Sequence, residues 1–190
     1  GAAGLSTVFP DTALGGKMKA IAETIAVRSS LNMNRQIFYA TVGGFDTHSN
    51  QVDELPALHA EIAGAVAAFR TAMQEVSAWN DVTVFTGSDF GRSIIGNGDG
   101  TDHGWGGHHF VAGGSVVGKT IYGDMTGFDI NGANGEQYVS RRGILIPQVS
   151  VDQYAATLGR WFGLDAGELV AALPNLANFD QKDLGFLGGS

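Results

Sequence analysis

Apolar residues recur along this chain with two different periods, and the switches between them sketch its elements. In the stretch 14–28 (LGGKMKAIAETIAVR), Leu14, Met18, Ile21 and Ile25 return every three or four residues, with Arg28 continuing the row. That spacing predicts an amphipathic helix. The same rhythm runs through Leu55, Leu58, Ile62, Val66, Phe69, Met73 and Val76 and predicts a long helix near 53–79 with one core-facing stripe. Two β-rich runs interrupt the helical pattern. Gln36 to Val42 (QIFYATV) ends at Gly43-Gly44, and Asp81 to Thr86 (DVTVFT) ends at Gly87, so each is predicted to be a buried strand feeding a polar loop.

Strand, loop, helix, strand, loop in that order predicts an α/β fold: a mostly parallel sheet flanked by helices. Ligands in such sheets gather at the carboxyl ends of the strands, where the Gly-rich loops 43–50 and 87–93 are expected. Further on, 109–112 and 119–122 are expected as short strands and 123–138 as a loop, a hairpin excursion or a lid. Residues 151–162 and 167–173 are expected as short helices, the first capped by Ser150 and the second stopped before Pro174. The tail from 175 reads as irregular. With no linker in evidence, 1–190 is expected to form a single domain.

Composition removes several classes of function. The net charge is −8, from 19 acidic against 11 basic side chains, and no basic cluster is present to neutralise phosphates, so no nucleic acid is expected as partner. No apolar run approaches the roughly 20 residues of a membrane span. Residues 1–10 carry no secretory signal, although an exported protein after signal removal reads the same way. Cysteine is absent, which excludes disulfides, thiolate metal sites and a cysteine nucleophile.

What remains is imidazole and carboxylate chemistry. Four of the five histidines, His48, His103, His108 and His109, fall in three loops together with Asp46, Asp89 and Asp102. Imidazole with carboxylate and no thiolate suits a divalent ion, zinc before manganese or iron, whereas calcium prefers oxygen alone. In an extended chain residues i and i+2 share a side, so Asp46 and His48 could grip one ion. His103, with His108 or His109, could close the shell, and Asp89 joins the set of candidate ligands. Turn chemistry is the competing explanation for Asp102-His103-Gly104. Ser88 is a weaker candidate as a nucleophile, since no Gly-x-Ser-x-Gly elbow surrounds it. Arg92 is a candidate clamp for an anion, or else a partner for Asp89 or Asp102. His59 lies on the long helix and reads as a surface or packing residue. Trp79 and Trp161 read as core, and Trp105 as a pocket wall or as packing under its loop. The stretches 98–100 and 124–135 read as turns, with calcium as the alternative.

The segments GGFDTHSNQ, DVTVFTGSDFGR, NGDGTDHGWGGHHFVAGG and IYGDM, in that order over about residues 8–175, resemble the C-terminal half of the exported bacterial proteins grouped as "domain of unknown function 1501". That family is similar to the alkaline phosphatases and sulfatases. The resemblance implies an alkaline-phosphatase-like sheet and a metal-dependent hydrolase of phosphate or sulfate esters acting on a small anionic ester. It also implies a periplasmic or extracellular location. Asp46 and His48 would match ligands of a first metal, Asp89 a ligand of a second, and His103 or His108 the late histidine returning to the first. Two departures stand out. Phe90 follows Asp89 where the phosphatases carry histidine, and the half of the fold that supplies the nucleophile is not matched by this chain. An N-terminal half or a second subunit completing the fold is therefore expected as partner. The alternative is a non-catalytic secreted binding or assembly module that keeps the fold.

Overall fold

The computed structural model describes residues 4–124 and 142–188. Among them the helices are α1 (Ala13–Ala26), α2 (Gln51–Glu75), α3 (Val151–Phe162) and α4 (Ala166–Ala172). The strands are β1 (Thr83–Phe85), β2 (Gly91–Gly96), β3 (Thr101–Gly104) and β4 (Val111–Gly113). β1 pairs with β4 and β2 with β3, giving two separate antiparallel sheets of two strands each.

This overturns the expected mostly parallel, alkaline-phosphatase-like sheet flanked by helices. The reason lies in where strand hydrogen bonds go. Residues 35–47 run without helix, turn or bend, yet among the described residues they join no ladder. The chain just after β1 instead meets the chain just before β4: Thr86 N donates to the Phe110 carbonyl at 3.1 Å, and Phe110 N donates to Thr86 Oγ1 at 3.0 Å. Antiparallel pairing needs no long crossover, and the β-rich composition of 36–42 could not reveal that it has no partner strand among the described residues. Loop 43–48 accordingly follows no strand. The stretch 119–122 is not a strand either, while β2 and β3 arise from a region read only as loop.

The chain divides into two compact units, Gly1–Val84 with Gly96–Asp102, and Phe85–Ile95 with His103–Ser190. In the first, α1 and α2 behave as their periodicity predicts. Leu14, Met18, Ala22 and Ile25 of α1 and Ala65, Phe69, Ala72 and Met73 of α2 form one buried cluster. Each large side chain in it contributes roughly 1.5–3 kcal/mol by leaving water. Trp79, as expected, packs against this cluster. Two carboxylates of α2 tie down the chain before it. Glu61 accepts from Leu14 N at 2.9 Å, where a negative charge meets the start of α1. Glu75 accepts from Ser6 N, Thr7 N and the Thr7 hydroxyl.

In the second unit, α3 starts where the sequence placed it, with a reciprocal capping box between Ser150 and Gln153. Gly163 ends it at φ 102°, a conformation that glycine adopts freely. A second capping box, Asp165 with Glu168, starts α4. Ala156, Leu169 and Leu176 form the buried cluster beneath these helices. The tail is less irregular than expected: Pro174–Asn178 makes a 3-10 turn, Leu184 N donates to Thr157 Oγ1, and Leu187 bridges Val116. Ile94 N and Ile95 N donate to the carbonyls of Gly143 and Arg142, covering the outer edge of β2. The expected loop or lid over 123–138 and the calcium candidate at 124–135 lie, from residue 125 onward, outside the described residues.

Candidate metal-binding site

In the first unit, the segment Asp46-Thr47-His48 is shaped by one tight turn. His48 N donates to the Asp46 carbonyl at 3.2 Å, so the chain bends around Thr47. Thr47 is buried at 2% exposure, and its two neighbours are thereby turned outward. The result is that Asp46 Oδ1 and His48 Nε2 lie 3.0 Å apart, with both side chains half exposed. Ligand bonds of about 2.0–2.2 Å place adjacent donors roughly 3.0–3.4 Å apart around one ion. The pair fits two vertices of such a shell.

A second carboxylate stands on the other side of the ring. Asp102 Oδ1 lies 3.7 Å from His48 Nδ1, an ion-pair distance rather than a hydrogen bond. Asn97 holds this arrangement together: its Nδ2 donates to Asp102 Oδ1 at 3.1 Å and to the His48 carbonyl at 3.2 Å. The same hairpin turn anchors the start of α2, since Asp99 accepts from Asn50 N through Oδ2 and from Gln51 N through its backbone oxygen. Asn50 sits at φ 50° and makes no side-chain cap of its own, so Asp99 supplies what the helix start lacks. Gly100 is the closest point of the clamp. A Cβ there would stand 2.4 Å from the His48 carbonyl carbon and 2.5 Å from the Thr47 oxygen, so the turn closes only on glycine. The stretch 98–100 is thus a turn, as the bland expectation had it, with the added task of holding 46–51.

The remaining candidates lie in the second unit. His103 stacks flat on Phe90, with ring centroids 3.9 Å apart and planes 8° apart. The Arg92 guanidinium lies over the same Phe90 ring at 5.0 Å, a cation–π distance. Ser88 donates its hydroxyl to the Phe90 carbonyl at 2.9 Å. Asp89 and His108 are exposed, as is Trp105 at 67%. That exposure removes Trp105 as packing under its loop. Gly91 meets Gly106 so closely that a Cβ there would overlap the Gly106 backbone.

His109 belongs to an aromatic group at the end of β1. Its ring lies against Tyr154 at 5.9 Å, its Nδ1 is 3.5 Å from Thr86 Oγ1, and Tyr154 donates its hydroxyl to the Thr86 carbonyl at 3.1 Å. Burial of the ring face lowers the His109 pKa, and the charge on His108 adds to this. Burial also pushes the Tyr154 phenol up to about 12. His59, on α2, faces Phe45 at 5.7 Å, a packing contact. Sequence reasoning missed Asp102 as the partner of His48 Nδ1 and Asn97 as the residue that holds it. The only signal was the density of Asn, Asp and Gly over 96–102, which reads equally as an ordinary turn.

The sequence profile described as "Protein of unknown function (DUF1501)" matches residues 10–173. The chain belongs to the DUF1501 family. No curated protein and no solved structure gives a significant match. The family assignment covers Asp46, His48 and Asp102 as well as the His-rich loop, and it carries no activity with it. No described helix of this DUF1501 chain is long and apolar enough to cross a membrane.

Proposed function

We propose that this DUF1501 chain binds a divalent cation, zinc first, through Asp46 and His48, and that it is the metal-binding part of an exported hydrolase of phosphate or sulfate esters. The observation that carries the reading is the 3.0 Å approach of Asp46 Oδ1 to His48 Nε2 on an open surface. Asp102 on the far side of the ring adds support. Metal-bound histidines commonly lean their second nitrogen on a carboxylate, which fixes the ring and raises its basicity. A divalent ion held there would polarise an ester oxygen and stabilise charge developing on it. Arg92 of the second unit, laid over Phe90, is a separate candidate for holding an anion. The hydrolase step and export to the periplasm or medium rest on the resemblance to exported phosphatase-like proteins.

One observation favours a non-catalytic binding module instead. By the resemblance, Phe90 would stand where the phosphatases carry a metal-binding histidine, and its ring is in contact with His103 and Arg92. A hydrocarbon ring offers no ligand.

Elemental analysis of protein purified without chelator, followed by calorimetric titration with zinc, tests the metal. Bound zinc that falls in Asp46→Ala and in His48→Ala is the expected result. Occupancy unchanged by both substitutions would sink the assignment. A panel of phosphate and sulfate monoesters then divides the two readings: turnover that chelator abolishes supports the hydrolase, and its absence from metal-loaded protein supports the module.

A further inference from the structure

Asn97 and Gly98 lie in the segment 96–102 of the first unit, in the turn that holds 46–51, and the shape of that turn makes the pair chemically labile. Gly98 stands at φ 123°, a conformation that side chains disfavour and glycine accepts. The residue after Asn97 therefore has no side chain to shield its nitrogen. Among the described residues Gly98 N donates to no acceptor, and both residues are exposed. Against this, three hydrogen bonds hold the Asn97 carboxamide. Its Oδ1 accepts from Gly100 N at 3.0 Å, and its Nδ2 donates to the His48 carbonyl at 3.2 Å and to Asp102 Oδ1 at 3.1 Å.

We infer that Asn97 is a site of spontaneous deamidation, and that its conversion releases the clamp on residues 46–51. The step needs only water. Gly98 N gives up its proton and bonds to Asn97 Cγ; the Cγ–Nδ2 bond breaks, and Nδ2 leaves as ammonia with that proton. Water then opens the cyclic imide at one of its two carbonyls, leaving aspartate or the isoaspartate whose backbone runs through the side-chain carboxyl. Ring closure requires the carboxamide to leave its three partners, so opening of the turn sets the rate. Conversion also removes what the clamp depends on. Nδ2 is the donor that joins His48 to Asp102, and a carboxylate in its place offers acceptors only. Two negative charges then face each other where a hydrogen bond stood, and they repel. Isoaspartate lengthens the backbone as well, and Gly100 already packs too closely on the Thr47 and His48 backbone to carry a Cβ. Asp99 moves with the turn, so Asn50 N and Gln51 N lose their acceptors at the start of α2. None of this requires a bound ion.

The sequence permits a clean test. Cleavage after Arg92 and Lys119 yields the peptide 93–119, in which Asn97 is the only Asn or Gln. A deamidation mass gain in that peptide therefore belongs to Asn97, since the Asn-Gly pairs at 131–132 and 134–135 fall in the next one. Peptide mapping of the full chain aged at neutral pH should show the gain accumulating in folded protein. It should do so more slowly than in urea-unfolded protein by about tenfold or more, as expected when ordinary hydrogen bonds must open first. Amide exchange should be faster at Asn50 and Gln51 by about tenfold in Asn97→Asp than in the unaged chain. The aged, more acidic fraction separated by ion exchange should show the same loss of protection, and it serves as the second reading where the variant does not fold. A folded chain that converts as fast as the unfolded one, or that never converts, overturns the inference. So does unchanged protection at Asn50 and Gln51 in the converted protein.

Discussion

His48 and His103 are both exposed imidazoles on glycine-rich stretches, and within its own unit each ring meets different neighbours. His48 is bracketed by carboxylates: Asp46 at Nε2, Asp102 on the Nδ1 side, and Asn97 binding both the His48 backbone and Asp102. His103 instead lies flat on a phenyl ring. One setting orients the nitrogens of the ring, and the other uses its face. Both imidazoles are candidate ligands; what lies against each ring sets how its nitrogens are held.

Removing the carboxylate edge should therefore have the largest effect. Asp46→Ala and His48→Ala should each weaken zinc binding more than about a hundredfold, exceeding the 10–100-fold typical of a supporting residue. Both side chains are exposed, so thermal unfolding of the metal-free protein should move by no more than about 0.5 kcal/mol. His103→Ala is the matching test of the ring set by its face. Calorimetric titration of the three variants side by side breaks the comparison if His103→Ala costs as much as His48→Ala.

Next in size is the clamp beneath His48. Gly100→Ala inserts a Cβ into the His48 and Thr47 backbone, and overpacking of this kind costs about 1–3 kcal/mol. Because the displaced atoms belong to the proposed site, zinc affinity should fall along with stability. Differential scanning calorimetry with a zinc titration checks both. A stable Gly100→Ala protein with unchanged zinc affinity would show that the turn does not position His48. Asp102→Asn should come third, with a loss of about tenfold in affinity and recovery in Asp102→Glu, measured by the same titration.

How much of this was legible in the sequence follows from the range of each interaction. α1, α2 and α3 were readable because a helix announces its buried face through residues three and four apart, and Ser150 and Gln153 are near neighbours in the chain. The approach of Asp46 to His48 was within reach of a local reading, with only Thr47 between them, although a tight turn and not the expected extended strand end brings it about. Asp102, Asn97 and Gly100 act on His48 from about fifty positions away, and no local pattern encodes that. The parallel sheet failed for a related reason. QIFYATV has strand composition, but a strand exists only with a partner, and β1 found its partner in β4 at the far end of the His-rich loop.

The smallest effects are those of pH, and they separate the two units. His109, in the aromatic group of the second unit, has its pKa lowered from 6.5 by burial and then by His108. The unfolded chain takes up this proton first, so its contribution is complete above pH 6.5 and is lost as pH falls below that value. Glu75, in the first unit, is held down at about 2 from 4.5, chiefly by the Ser6 N–H and then by the Thr7 hydroxyl. Its contribution is present above pH 4.5 and disappears as pH falls towards 2. Acid titration of stability should therefore show two separate declines. His109→Asn should remove the upper one and leave the lower, and Glu75→Gln should do the reverse. Backbone amide exchange, followed by residue, should place the first loss around β4 and α3 and the second around residues 4–7 and the end of α2. A single decline removed by both substitutions would mean that the two groups report one common unfolding event rather than the local environments that set His109 and Glu75 apart.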